Sequence, residues 1–451
     1  MNPYRVDIAI LGAGPAGYAA ALAASQRGKT VALVEPGPLG GTCLNWGCIP
    51  TKMYLGASAP LEGLRAMTRL RLLRGEATLD LTALRRRVES VIAATRKAMA
   101  QQLRQHGVLT VAGHGRLAGP GQVEVEEAGA TILAQATILA TGSRPMPLPG
   151  VPFGGPILDS TAALALENVP TSLAIVGGGA IGLEMAQLWH RLGTQVTVVE
   201  AAEHLAPTED PQLGDILATV LRRGGITVHT TSPVAAVERT PDGVRLGLPS
   251  GTVEAQYVLV AIGRAPATQP LGLEAVGIQL TPRGWIGTDP FLRACPGVYA
   301  VGDANGRTLL AHAAEHQARY AVAHALGEIH TPYTPGPIPA CIYGGCELVR
   351  VGPSWAEIHD VATGVSRFSL AANPMAQAHG AAFGAVHVYW RRDQVVGIAA
   401  VGAGVSHLAG LAEAIVHHGW TRESAHTHIF AHPSLDEAVR EALRAPQEPL
   451  P

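Results

Sequence analysis

An α/β architecture, two strand–turn–helix–strand units in series followed by a smaller α+β segment, is predicted by three observations. "VDIAILGAGPAGYAAALAASQRGKTVALVEP", residues 6–36, reads as a strand, a glycine turn, a small-residue helix and a second strand ending in an acid. "TSLAIVGGGAIGLEMAQLWHRLGTQVTVVE", residues 171–200, repeats that order. After residue 336, short strands such as "HVYWRR" and "QVVGIAAVG" alternate with helices. The expectation is therefore two Rossmann-like dinucleotide-binding domains plus a C-terminal α+β domain.

The chain's 451 residues suffice for roughly three domains of ordinary size. Hydrophobic residues make up 47% and charged residues 15%, a balance that builds large cores and excludes disorder. No apolar run reaches the roughly 18 residues a spanning helix needs, so the mean hydropathy of +0.19 reflects alanine-rich cores. A net charge of −2 gives no reason to expect nucleic acid or a membrane as partner. The arginine clusters "RLRLLR" (69–74) and "LRRRVES" (84–90) read as solvated helix faces. The N-terminus enters an apolar strand at once, with no basic segment and cleavage site, which points to the cytoplasm.

In the first unit, Gly12 allows the tight turn, Gly14 lets a pyrophosphate approach the backbone and Gly17 packs helix on strand. The phosphates sit over the helix N-terminus, and Glu35 ends the second strand where a carboxylate accepts from ribose hydroxyls. Gly177, Gly179, Gly182 and Glu200 repeat the pattern, and Glu200 follows Gly177 at the distance by which Glu35 follows Gly12. Two units with matched spacing imply two bound dinucleotides. A carboxylate at Glu200 accepts from a free 2′-hydroxyl and repels a 2′-phosphate, and "VVEAAEHL" brings no arginine, so NAD is favoured over NADP. "VEVEEAGATILAQATILATGSRP" and "AQYVLVAIGRAP" read as β segments ending at glycine turns. The proline- and glycine-rich stretches 143–156 and 331–339 read as linkers. Between them, "GVYAVGDANGRTLLAHAAEHQARYAVAHAL" offers a strand, a Gly-Asp turn and a helix.

"GGTCLNWGCIPTK", residues 40–52, holds two of the five cysteines, Cys43 and Cys48. So few cysteines argue against a disulfide scaffold. No histidine or further cysteine lies near enough in sequence to complete a metal set, and no metal site is expected. A reactive pair and a reduced bystander pair remain, and a redox partner decides between them.

Taken in order, "GAGPAG", "GGTCLNWGCIPTK", "ATGSRP", "GGGAIGLE", "AIGRAP", "VGDANG" and "HPSLDE" resemble the flavin-dependent pyridine nucleotide–disulfide oxidoreductases over nearly the whole chain, most closely their dihydrolipoamide dehydrogenase branch. The resemblance implies an FAD-binding domain in 1–145, an NAD-binding domain in 146–270, a return to the FAD domain in 271–335, and an interface domain in 336–451 that builds a homodimer. It implies that Cys43 and Cys48 are the redox-active disulfide, Cys43 as the interchange thiol facing substrate and Cys48 as the thiol facing the flavin. A helix N-terminus lowers a thiol pKa and suits such a pair. Lys52, one of only three lysines beside Lys29 and Lys97, would pair with Glu184 near the flavin. A compact ammonium serves there better than a planar guanidinium. The remaining FAD contacts implied are Gly12, Gly14, Pro15, Ala16, Gly17, Glu35, Gly41, Thr42, Lys52, His114, Gly115, Thr141, Gly142, Asp303 and Ala311. Those for NAD are Gly177, Gly178, Gly179, Ala180, Ile181, Gly182 and Glu200, with Gly263 and Arg264 on the nicotinamide side.

Oxidising a dithiol needs a proton acceptor, and histidine is the side chain tuned for that near neutrality. In "IFAHPSLDEAVREAL", the resemblance implies a dyad of His432 and Glu437; Ser434 and Glu437 also form an S-x-x-E capping box. "HAAEH" (312–316) fits a zinc-protease pattern but follows the Gly-Asp turn on what reads as a flavin-contacting helix. His426 and His428 alternate as on a strand and read as interface residues; Cys295 reads as buried and inert, and Cys341 and Cys346 as free thiols. Phe430, Met375 and the Gly345-Cys346 pair depart from the branch's pattern, which commonly has histidine, arginine, and threonine or histidine followed by proline at these places. All lie in the interface domain, where substrate entry is shaped. The reaction implied is oxidation of a small dithiol or a lipoyl domain, within a 2-oxo acid dehydrogenase complex, with NAD as acceptor. The alternatives are a disulfide reductase that uses NAD(P)H and a different small thiol, and a flavin-binding structural subunit without turnover.

Overall fold

The computed structural model describes residues 3–69, 71–75 and 77–450. Contacts group the chain into two compact units: Met1–Pro50, Arg85–Met146 and Gly263–Pro335 form one, and Thr51–Leu84, Pro147–Ile262 and Gly336–Pro451 the other.

The first unit is built on a mainly parallel sheet in the order Arg293–Cys295, Val298–Ala300, Ala130–Leu139, Tyr4–Leu11, Val31–Glu35, Leu109–Ala112. Tyr4–Leu11 lies between two parallel partners, and its last four residues are fully buried, as a strand covered on both faces must be. Helix Pro15–Ser25 buries only alanine and glycine, which lets its backbone lie close to the sheet and to helix Ala311–Ala325. Gly115–Gly119 and Gln122–Val125 extend Ala130–Leu139 as an antiparallel meander. Ser143–Pro145 pairs antiparallel with Arg264–Pro266, and the Met146 N–H donates to the Gly263 carbonyl at 3.1 Å. The proline-rich stretch after residue 143 thus starts as an ordered rung.

The second unit holds a parallel sheet in the order Thr227–His229, Gln195–Val199, Ser172–Val176, Tyr257–Val260, Ile157–Leu158, with an antiparallel three-stranded sheet, Ala236–Thr240, Gly243–Leu248 and Gly251–Ala255. It also holds the six-stranded antiparallel sheet of the C-terminal segment, whose central strands are Gln394–Gly402 and Gly384–Arg391. Helices Ala409–His417 and Asp436–Arg444 cover that sheet over a core of Val386, Val388, Trp390 and Ile398. Inside it, Trp390 Nε1 donates to Ser366 Oγ at 2.8 Å, and that hydroxyl donates to the Ala442 carbonyl at 2.6 Å. Asp210, at the N-cap of helix Pro211–Gly224, accepts from His387 Nδ1 and from the Tyr389 hydroxyl, each at 2.7 Å, with all three side chains buried. Among the described residues no helix is long and apolar enough to cross a membrane.

Four local expectations are corrected. Helix Cys48–Arg69 ends where "RLRLLR" begins; Leu70 lies outside the described residues, and Arg71, at φ 59°, is a turn residue, so this cluster is no helix face. "LRRRVES" does lie on a helix, Leu81–Gln105. His426 lies on helix Arg422–Thr427, started by the Thr421 hydroxyl, so it does not alternate with His428 along a strand. Cys295 ends an edge strand and is half-buried, not buried, although burial still raises its thiol pKa. Only half of the capping box forms: Glu437 accepts from the Ser434 N–H at 3.1 Å, but Ser434 Oγ is buried with no partner among the described residues and the helix begins at Asp436.

Candidate active site

Both glycine turns are built alike. Gly12 and Gly177 have φ of 99° and 112°, and a Cβ on either would lie 2.4 Å from the carbonyl oxygen ending a neighbouring strand, that of Ala140 or Ala261. A Cβ on Gly17 or Gly182 would lie 1.8 or 2.0 Å from the Gly12 or Gly177 carbonyl. The middle glycines differ: among the described residues nothing lies nearer than 3.9 Å to a Cβ on Gly14, and nothing within 4 Å of one on Gly179. Their bare backbone is thus left for a partner other than the protein. Gly14 and Gly179 are N-caps without side-chain caps, followed by Pro15 and Ala16 in one helix and by Ala180 and Ile181 in the other. The first turns of both helices carry no acidic residue and no side-chain cap, which leaves their N–H groups suited to a phosphate.

The two acids sit alike as well. Glu35 accepts from the Ala13 and Gly37 N–H groups at 2.6 and 2.8 Å, and Glu200 from those of Gly178 and Ala202 at 2.6 and 2.7 Å. Each stiffens its own turn and keeps lone pairs for ribose hydroxyls. Thr141 Oγ lies buried with no partner among the described residues, beside Gly142 at φ 75°. An orphaned hydroxyl and an uncovered glycine backbone are what a bound dinucleotide would satisfy, so the residues present fit FAD in the first turn and NAD in the second.

Cys43 lies on the short helix Gly41–Trp46, half-buried, and Cys48 opens the helix Cys48–Arg69, exposed. The segment is tied to the first turn: Gly40 N–H donates to the Ala13 carbonyl at 2.9 Å, and a Cβ on Gly41 would lie 2.7 Å from Gly14 Cα. Thr42 follows, exposed. The buried Asn45 amide donates to the Gly41 carbonyl at 2.8 Å and its oxygen accepts from Arg96 at 2.5 Å, clamping the cysteine helix in place.

Lys52, one helical turn past Cys48, meets Glu184: Nζ lies 2.7 and 2.9 Å from the two carboxylate oxygens. Glu184 also accepts from the Tyr343 N–H at 3.2 Å, and the ammonium stands 4.7 Å from the Tyr343 ring centre. Burial raises the Glu184 pKa above its ordinary value, and the Lys52 charge and hydrogen bonds oppose that rise.

Asp303 accepts from Ser143 Oγ at 2.5 Å and lies 3.7 Å from Arg264, whose guanidinium donates to the Ser143 hydroxyl and carbonyl. Arg264 and Gly263 thus stand with Asp303 in the first unit, and Ser143, which sequence reasoning did not single out, joins them. Ala311 opens helix Ala311–Ala325, also without a side-chain cap. At His114 both the ring and the N–H are taken by Glu127, while Gly115 packs a Cβ-free face against Leu11 and Val34. His432 Nδ1 lies 3.1 and 3.2 Å from the Glu437 oxygens, with the imidazole mostly exposed and the carboxylate buried. Burial pushes the Glu437 carboxyl up, but hydrogen bonds from Ser434 and His432 and the charge of Arg440 outweigh it and hold its pKa low. The "HAAEH" histidine His316 bonds the Tyr333 hydroxyl at 3.0 Å.

Comparison with known proteins agrees in extent. Residues 6–318 match the family model described as pyridine nucleotide-disulphide oxidoreductase, and residues 338–443 its dimerisation domain. A dihydrolipoyl dehydrogenase of Bacillus subtilis (strain 168) is 36% identical over 97% of this chain and 98% of its own. Dihydrolipoyl dehydrogenase 3 of Pseudomonas aeruginosa is likewise 36% identical, over 97% of each chain. Among solved structures, LpdA from Mycobacterium tuberculosis superposes with a TM-score of 0.87 at 31% identity, covering 98% of this chain and 99% of that one. The Cu(II) complex of the HOCl-induced flavoprotein disulfide reductase RclA from Escherichia coli also gives 0.87, at 25% identity, with the same coverage.

Proposed function

Because the chain belongs to the pyridine nucleotide–disulphide oxidoreductase family, we propose that it oxidises a vicinal dithiol to a disulfide with NAD as acceptor, as a dihydrolipoamide dehydrogenase. It is an FAD-dependent oxidoreductase. The observation that carries this reading is the docking of the Cys43 helix on the first nucleotide turn, Gly41 against Gly14.

With Cys43 and Cys48 joined as a disulfide, a substrate thiolate attacks Cys43 Sγ, the S–S bond breaks, and Cys48 leaves as a thiolate. His432 takes the proton of the second substrate thiol, while Glu437 holds the imidazole through Nδ1 and stabilises its charged form. That second thiolate attacks the substrate sulfur of the mixed disulfide, releasing the oxidised substrate and Cys43 as a thiolate, which takes the proton back from His432 and becomes a thiol. FAD, once bound, would supply the two-electron chemistry between the Cys43–Cys48 pair and NAD. Gly12, Gly14 and Gly17, with Glu35, Thr141 and Asp303, would hold that flavin; Gly177 to Gly182 with Glu200 would hold the nicotinamide dinucleotide. Lys52, fixed by Glu184, places a positive charge beside the flavin. Residues 1–145 and 271–335 serve as the FAD domain, 146–270 as the NAD domain and 336–451 as the homodimer interface, through which the base reaches the cysteines of the other copy. The reaction belongs in the cytoplasm, and its dithiol is carried on a lipoyl domain of a 2-oxo acid dehydrogenase complex.

Steady-state assay of a dithiol panel, including dihydrolipoamide and a reduced lipoyl domain, with NAD and with NADP tests the proposal. Turnover with NAD in preference to NADP is expected. An FAD-loaded dimer that turns over no dithiol overturns it in favour of a flavin-binding structural subunit.

A further inference from the structure

The turn that departs from the branch's pattern, Tyr343 to Cys346, carries a device of its own. Gln187 lies one helical turn beyond Glu184 on helix Ala180–Leu192, so both side chains leave the same face. Gln187 Oε1 accepts from the Gly345 and Cys346 N–H groups at 2.8 and 2.9 Å, and Nε2 donates to the Cys346 carbonyl at 3.2 Å. The amide is buried, so each of these bonds would leave an unsatisfied group if removed. A Cβ on Gly344 would lie 2.2 Å from Gln187 Nε2, and one on Gly345 would lie 2.2 Å from a Glu62 carboxylate oxygen. Proline at 346 would have no N–H to give. Gly344, Gly345, Cys346 and Gln187 are therefore one mutually fitted set, and the turn they fix begins with Tyr343, whose N–H bonds Glu184 and whose ring faces the Lys52 ammonium.

We propose that Gln187 is a positioning residue for the redox centre: by locking the Tyr343–Cys346 turn it holds the Tyr343 ring and N–H against the Lys52–Glu184 pair, and so fixes where the ammonium stands. The link to redox rests on the reading that Lys52 lies beside the flavin; the positioning itself rests on the contacts above. A buried carboxylate directs the ammonium from one side and an aromatic face attracts it from another. Without the turn, Lys52 loses one of its two guides.

Because the chain has only three lysines, Lys29, Lys52 and Lys97, a protein labelled with 13Cε-lysine gives a spectrum in which Lys52 is read directly. One signal is expected upfield of the others, shifted by the Tyr343 ring, and identified by its loss in Lys52→Met. Gln187→Met moves that signal toward the other two, shifts the flavin midpoint potential in the same direction as Lys52→Met but less far, and lowers kcat by about fivefold, the worth of one partly exposed cation–π contact. Tyr343→Leu does the same and carries the test should Gln187→Met fail to fold, while Tyr343→Phe keeps ring and N–H and stays near wild type. A Gln187→Met protein that only melts earlier, with signal and potential unmoved, overturns the proposal. If the signal moves in Gln187→Met while Lys52→Met leaves the potential untouched, positioning is supported and the placement of Lys52 beside the flavin is what fails.

Discussion

Glu184 and Lys52 meet across 132 residues of sequence, and the pair joins a buried carboxylate to a lysine about one-third exposed. Burial raises the Glu184 pKa, so the folded state holds its proton to a higher pH than the unfolded chain does. The cost of the buried charge therefore grows as pH rises from the ordinary carboxylate range through the raised value, and Lys52 offsets it. Lys52→Met is expected to lower stability by about 1–3 kcal/mol near neutral pH and by clearly less in mild acid, where Glu184 takes up a proton. Denaturant melts at the two pH values check this, and equal losses at both would contradict it. Glu437 carries the opposite sign. Its pKa is held low, so its contribution is present above the ordinary carboxylate range and disappears as pH falls through the lowered value. At the site, His432→Gln is expected to cut dithiol oxidation by about 10²-fold or more, while Glu437→Gln leaves the base in place but unguided and costs less; kcat with a saturating dithiol ranks the two.

The two glycine turns separate backbone need from ligand need. Gly12→Ala forces a side chain into left-handed backbone and onto the Ala140 carbonyl, so about 1–3 kcal/mol of stability is expected to go even in the apoprotein. Gly14 has φ −69° and open space, so Gly14→Ala leaves the apoprotein melting as before and lowers flavin content instead. Thermal melts of apoprotein beside the flavin-to-protein absorbance ratio distinguish them. These turns were legible in the sequence because their constraints are local: a glycine where only glycine fits, and an acid one strand later. The Arg422–Thr427 helix was misread because alternating histidines imitate a strand, while the deciding signal was the Thr421 cap before them. Cys295 was misread because a cysteine beside apolar residues looks buried, whereas it ends a short edge strand. Gln187 left no signature, and Ser143 was hidden inside the quoted "ATGSRP" with no hint of its role, since their partners lie 158 and 160 residues away.

On the scale of the whole molecule, the dimer proposal makes a sharp prediction. If His432 serves the cysteines of the other copy, then His432→Gln and Cys43→Ser proteins, each inactive alone, regain activity when subunits are exchanged. Each mixed dimer then holds one intact site. No recovery, with mixed dimers demonstrated by native mass spectrometry, would place the base within its own chain. Sequence patterning exposed the α/β class and the C-terminal α+β segment because their strands obey periodicities readable in short windows. It could not expose the Asp210–His387–Tyr389 cluster, in which a helix cap is shared with a strand 177 residues on. The antiparallel rung of Ser143–Pro145 and Arg264–Pro266 has a consequence of another kind. Every strand of the first unit's main sheet lies outside residues 147–262, so this one excursion leaves and rejoins the first unit at a single paired rung. A gene could acquire everything between Met146 and Gly263 in one insertion, and an engineer can exchange that cassette for a foreign module without severing a strand of its host.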